Sequence, residues 1–233
     1  MKHTDLVVIL DRSGSMANLR SDMEAGFDGL IAAQRKLEGT CNVTLVQFDS
    51  GGIETVYTGT PVADVPPLKL EPRGSTPLLD AVGTTVERIR QQVEALPADQ
   101  RPEQVMVLII TDGYENASVE YKKAQVQKLV GEARAKGWEF VYLGANVDAF
   151  AEAGNLGISA MSAAAYSPDS ASVRYAYVAA SQNLAQYRSS GVSAFTSQQR
   201  QQLTNAAQTV TERLRAMQRA QTDTPDQGDG ATG

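Results

Sequence analysis

The chain has 233 residues, 42% of them apolar and 21% charged, with a net charge of −6, an ordinary balance for a soluble globular protein. Cys41 is the only cysteine and His3 the only histidine, which excludes an internal disulfide, a Cys/His zinc cluster and Ser–His–Asp hydrolysis. No apolar run approaches the roughly 20 residues of a membrane helix, and "MKHTDLVVIL" is too short and too interrupted by Asp5 for a signal-peptide core, so a cytoplasmic location without a membrane role is expected.

"DLVVIL" at 5–10 reads as a buried strand. Residues 17–37 carry Met23, Phe27, Leu30, Ile31 and Leu37 at helical spacing. "NVTLVQF" at 42–48 and "IETVYTG" at 53–59 flank Gly51-Gly52, which predicts a hairpin with an antiparallel edge strand. After a Pro-rich connection, Leu79, Val82, Val86, Ile89 and Val93 mark a helix, with Pro77 as its first residue and Thr76 as its N-cap. "VMVLII" at 105–110 is apolar throughout, as a central strand covered on both faces requires. A helix over 118–136 and a strand at 139–144 follow.

Strands alternating with helices predict a doubly wound, mostly parallel α/β sheet with helices on both faces. Val173, Tyr177, Ala180, Leu184 and Tyr187 predict a further helix. Beyond Gly191, Thr196 and Gln199 stand in capping-box register before a stripe of Leu203, Ala207, Val210, Leu214 and Met217. The expected organisation is a domain over 1–190, a helical extension over 191–221 and a disordered tail over 222–233. Packing of that stripe onto its own domain is expected, with a partner helix as the alternative. Residues 170–220 hold six arginines against Glu212 alone. They are spread out without interleaved lysines, so they point to docking on the acidic body or to solvation, and no nucleic-acid partner is expected.

Ligands of open α/β sheets bind at the carboxyl ends of the strands. Asp11 follows the first strand there, with Ser13 and Ser15 just beyond, and Asp112 follows "VMVLIIT". The helix after Thr76 feeds forward into that same strand, so a right-handed crossover starts it at the same edge. Topology thus gathers Asp11, Ser13, Ser15, Thr76 and Asp112 from three distant segments. Taken singly, each has a plainer use: Ser13 and Ser15 as caps of the following helix, Thr76 as a cap, Asp112-Gly113 as a turn. Taken together, two carboxylates and three hydroxyls make a hard oxygen site suited to Mg²⁺ or Mn²⁺. Asp49, Arg73, Glu115 and Asn116 sit at the same edge as a candidate docking rim.

The stretches "DRSGS", "RGSTPLLDA" and "IITDG" resemble the three-part metal-ion-dependent adhesion site of von Willebrand factor type A domains, and "VILDRSGSM" is similar to bacterial and phage members. The resemblance covers about residues 4–166 and the helix after 170; residues 191–233 extend past it. It implies a Rossmann-like domain in which the Ser13, Ser15 and Thr76 hydroxyls touch the metal while Asp11 and Asp112 act directly or through water. It also implies a protein partner whose Asp or Glu completes the coordination, and no enzymatic activity. The competing class is a Mg²⁺-dependent phosphoryl-transfer hydrolase, since an Asp after the first strand also opens the haloacid-dehalogenase pattern. That chemistry wants a second carboxylate two residues on, where this chain has Ser13, and no phosphate loop or dinucleotide fingerprint is present. A regulatory subunit with a purely stabilising metal is the third reading.

Overall fold

The computed structural model describes residues 2–145 and 148–203. Six strands, β1 (His3–Asp11), β2 (Thr40–Asp49), β3 (Gly52–Pro61), β4 (Gln104–Thr111), β5 (Glu139–Ala145) and β6 (Ala163–Tyr166), form one sheet in the order β3-β2-β1-β4-β5-β6. β3 is the antiparallel edge and every other pairing is parallel. The helices are α1 (Arg20–Gln34), α2 (Leu78–Ala95), α3 (Lys123–Ala135), α4 (Ala149–Asn155) and α5 (Ser170–Ser190). Among the described residues no helix is long and apolar enough to cross a membrane.

Strand alternation divides the core into two layers. Leu6, Val8 and Leu10 of β1 point into the layer under α1 and α5, while Val7 and Ile9 point into the layer under α2, α3 and α4. β4 repeats the division, with Met106, Leu108 and Ile110 on the first face and Val105, Val107 and Ile109 on the second. Both central strands are therefore apolar on both faces, the physical reason their sequences run without polar interruption.

α5 closes against α1 at very short range. A Cβ placed on Gly26 would stand 2.2 Å from the Tyr177 ring, so only glycine lets the two helices approach this closely. Arg188 of α5 is buried and donates to the carbonyl oxygens of Gln34, Glu38 and Gly39, satisfying acceptors left open where α1 ends. This arginine docks on the body of the domain. Gly191, at φ 78°, then closes α5 in the left-handed region.

Thr196 and Gln199 form the expected reciprocal cap, Gln199 N–H to Thr196 Oγ1 at 3.1 Å and Thr196 N–H to Gln199 Oε1 at 2.8 Å. Residues 197–203 are helical, and Phe195 and Leu203 are buried in the α1/α5 layer. Ala207, Val210, Leu214, Met217 and the tail over 222–233 lie outside the described residues.

Four local expectations need correction. α1 ends at Gln34, so Leu37 falls beyond it and is exposed. α3 begins at Lys123, five residues later than the expected 118, because Asp80 draws the preceding chain away from helix. The Asp80 carboxylate accepts the N–H groups of Val119, Glu120 and Tyr121 at 2.7–3.0 Å. α4 and β6 are additional elements of seven and four residues, too short and alanine-rich to declare a period.

The fourth correction concerns Thr76. α2 begins after Pro77 with no side-chain cap hydrogen bond from its own chain start. Its open amides are taken instead by the loop after β4: Leu79 N–H by Glu115 Oε2 at 2.8 Å, and Asp80 N–H by Ser118 Oγ at 3.0 Å. A carboxylate at that position also complements the positive end of the helix.

Candidate metal centre

Three loops meet at the carboxyl edge over β1 and β4. The loop after β1 carries Ser13 and Ser15, the loop before α2 carries Thr76, and β4 ends at Thr111 with Asp112 just beyond. Backbone hydrogen bonds lock them together: Gly14 N–H to Gly74 O at 3.0 Å, Arg73 N–H to Arg12 O at 2.8 Å, and Asn116 N–H to Thr76 O at 3.2 Å. Asn116 Oδ1 returns the contact by accepting Thr76 N–H at 2.9 Å.

The oxygens converge in one chain of contacts. Ser15 Oγ donates to Asp112 Oδ1 at 2.6 Å and lies 3.1 Å from Ser13 Oγ. Asp11 accepts Ser13 N–H on Oδ1 at 2.7 Å and Thr111 Oγ1–H on Oδ2 at 2.6 Å. A Cβ on Gly113 would stand 3.2 Å from Thr76 Oγ1 and 4.0 Å from Ser15 Oγ. A side chain at 113 would therefore crowd the space these hydroxyls share. Neither serine caps a helix: the 3₁₀ turn at Gly14–Leu19 and α1 both start without a side-chain cap bond. The plain reading of Ser13, Ser15 and Thr76 as helix caps is thus removed by geometry.

Asp11 and Asp112 are buried, at 0% and 3% exposure. Among the described residues neither forms an ion pair with any Lys, Arg or His. Burial pushes the Asp11 carboxyl up to about 6, with the nearby charge of Asp112 adding, against the hydrogen bonds from Thr111 and Ser13. Burial also raises Asp112, against the Ser15 hydroxyl. Two buried carboxylates without a counter-cation are costly in the charged state.

Asp49 makes the contrast. It is equally buried, but its Oδ2 takes Arg12 Nε at 2.5 Å and Arg73 Nε at 3.0 Å. Burial pushes its carboxyl up, yet the Gly51 N–H and the two guanidinium groups outweigh burial and hold it below the usual range. Asp49 therefore lies beneath the rim, an internal strut whose pair with Arg12 fixes the loop between Asp11 and Ser13. Arg73 is half-exposed and belongs to the surface. The Glu115 carboxylate is engaged by the N–H groups of Leu79, Ala117 and Ser118 and by Ser118 Oγ. Asn116 is exposed at the rim while its side-chain oxygen holds Thr76.

Thr111, Asp80 and Ser118 support the centre and were not anticipated. The only signal for Thr111 is its place one residue before Asp112; Asp80 and Ser118 act through backbone amides about 40 residues distant.

Among the described residues no group of three or more His, Cys, Asp or Glu side chains is placed to hold a metal. The donor set fits a cation on different grounds: two unpaired buried carboxylates, three hydroxyls and a glycine that keeps their common space open. All are oxygen donors, a set that suits a hard divalent cation.

No protein-family model and no curated protein matches the sequence. Solved structures do match in shape. Proximal thread matrix protein 1 from the mussel byssus, described with a zinc-occupied MIDAS motif, superposes with a TM-score of 0.54 at 14% identity over 79% of this chain and 46% of its own. A von Willebrand factor type A structure from Catenulispora acidiphila gives 0.51 at 17% identity over 78% and 42%. The von Willebrand factor domain of the pilus tip protein Mfa5 from Porphyromonas gingivalis gives 0.52 at 11% identity over 78% and 94%. The chain spans less than half the length of the first two. Identities this low establish the shared fold alone: a von Willebrand factor type A-like α/β sheet.

Proposed function

We propose that the chain is a non-enzymatic protein-binding module whose metal centre is formed by Asp11, Ser13, Ser15, Thr76 and Asp112. The observation that carries the reading is the pair of buried carboxylates that have no counter-cation among the described residues, beside three hydroxyls that cap no helix. Asp11 and Asp112 would supply the negative charge, and the neutral hydroxyls would leave the ion under-neutralised. A bound Mg²⁺ or Mn²⁺ supplies an electrophilic position that a partner's Asp or Glu carboxylate can occupy. Thr111, Asn116 and the Asp49–Arg12 pair hold the three loops in register for that contact. The mussel protein's zinc-occupied motif, on the same fold, supports a divalent ion at this edge.

Hydrolytic chemistry finds less support. The position a general acid would take is Ser13, and its hydroxyl is engaged with Ser15.

The test is a thermal-unfolding titration with Mg²⁺ and Mn²⁺, on wild type and Asp112→Asn, followed by partner capture with and without EDTA. Ion-dependent stabilisation confined to the wild type is expected. Equal shifts in both proteins would remove the assignment.

A further inference from the structure

The two helix layers present different surfaces. Ion pairs lace the outer side of α2 and α3: Arg90 with Glu87 and Glu94, Lys136 with Glu94, and Lys128 with Glu132. α5 has only two charged side chains, Arg174 and Arg188, and Arg188 is buried, so Arg174 is its one exposed charge. On α1 the row facing α5 is Ala25, Gly29 and Ala33, while Glu24 and Asp28 turn away to accept the N–H groups of Leu70 and Leu68. A surface helix ordinarily turns charge to water, and depletion of charge marks the centre of an interface.

This face holds a knob and a hole. The hole is a groove of about 330 Å³ between the two helices, lined by Ala25, Gly29, Ala33, Tyr177 and Val178. A Cβ on Gly29 would meet no heavy atom within 4 Å. The knob is Val178, 46% exposed at the rim. The helices run side by side in one direction: Ser170 Oγ donates to Asp22 Oδ2, Gly26 lies on the Tyr177 ring, and Gln34 Nε2 donates to the Ser181 carbonyl. Val178 therefore stands level with the turn that holds Gly29, and Arg174 lies between the levels of Asp22 and Gly26. Among the described residues neither Arg174 nor Asp22 has an ion-pair partner.

We infer that this face joins two copies of the chain about a two-fold axis parallel to α1 and α5. That operation lays α5 of each copy over α1 of the other, in the same direction. Val178 then enters the other copy's groove over Gly29, and Arg174 meets the other copy's Asp22, each contact occurring twice. Two helices side by side offer a face of about 20 Å by 25 Å, so the pair removes on the order of 1,000 Å² from water, the lower limit for a specific interface. The dimer is thus reversible. α1 and α5 both start at the carboxyl edge, so the axis turns both edges the same way. On the metal-dependent docking reading, the dimer presents two centres on one side, suited to a partner with two carboxylate segments.

Sedimentation equilibrium of the full chain in EDTA, from low to high micromolar concentration, reads the dimer without involving the metal. A monomer–dimer equilibrium is expected. Gly29→Leu fills the hole and Val178→Glu puts a charge into it, so each should weaken the dimer about tenfold or more without lowering the thermal midpoint of the monomer. Arg174→Glu should weaken it too, and adding Asp22→Arg should restore it. A chain that stays monomeric, or a dimer that both groove variants leave intact, would overturn the inference. A monomer that Val178→Glu also destabilises would assign the face to residues after 203 of the same chain and overturn it as well. Dissociation by Gly29→Leu without rescue by the charge swap would overturn the parallel two-fold arrangement.

Discussion

Ser15 and Asp112 are 97 residues apart in the chain, yet the serine hydroxyl donates to Asp112 Oδ1 over 2.6 Å. That contact joins the loop leaving β1 to the end of β4 and fixes the spacing of the candidate ligands. Among the described residues the Asp112 carboxylate has this donor and no cation, so removing its charge should act oppositely on the free and the metal-loaded protein. Asp112→Asn should melt at the same temperature as wild type or higher without metal, and should lose the Mg²⁺ response. At an ion concentration of 100 Kd, wild type should gain about 2.7 kcal/mol. Differential scanning fluorimetry in EDTA and in millimolar Mg²⁺ reads both quantities.

Thr76 separates ligation from capping. Since Glu115 and Ser118 take the α2 amides, Thr76→Ala should escape the cost of about 1 kcal/mol that a lost cap carries, yet should weaken metal binding. Thr76→Ser should retain metal and partner. Thr76→Asp should fold and bind metal but lose partner docking, because a third carboxylate neutralises the ion. Retained docking by Thr76→Asp in a Mg²⁺-dependent capture assay would remove the hydroxyl from the mechanism.

Stability should fall with rising pH through the Asp11 titration. Its folded pKa of about 6 lies above the ordinary 3.8, so the neutral form is favoured by folding. The contribution is complete below about pH 4 and is lost as pH rises through about 6, amounting to roughly 3 kcal/mol. A divalent ion offsets that loss, so the Mg²⁺-induced shift should be large at pH 7.5 and small at pH 5. Asp11→Asn should flatten the metal-free profile in urea unfolding across this range; an unchanged slope would contradict it.

Asp49→Ala leaves the Arg12 guanidinium, whose side chain is 7% exposed, with the half-exposed Glu54 as its remaining ion-pair partner. A loss of about 3 kcal/mol is expected from breaking a buried pair on one side. Arg73→Ala, at a side chain 57% exposed, should cost less than about 1 kcal/mol. Equal losses in urea titration would show that Asp49 is no internal strut.

Truncation after Gly191 removes Phe195 and Leu203, both buried in the α1/α5 layer. It should lower the unfolding midpoint, as loss of core side chains does. Removal of 222–233 alone should leave the midpoint unchanged. A truncated chain as stable as the full one would assign the segment to a partner.

The sheet was legible because its signals are local. The apolar runs of β1 and β4, the Gly51-Gly52 hairpin and the α5 stripe are each contained in a short window of the chain. The convergence of Asp11, Ser13, Ser15, Thr76 and Asp112 also followed from sequence, since strand order and crossover handedness assign each loop to an edge. What the sequence could not assign was the employment of each polar group at that edge. Asp49, Asp80, Glu115, Asp11 and Asp112 are alike as letters. Tertiary structure gives Asp49 two arginines, gives Asp80 and Glu115 the amides of α2 and its neighbouring loop, and leaves Asp11 and Asp112 buried without a cation among the described residues. Those partners come from segments about 25 to 40 residues away, beyond any local pattern. A carboxylate's role is decided by what neutralises it, and only the folded chain brings the neutralising groups within hydrogen-bond reach.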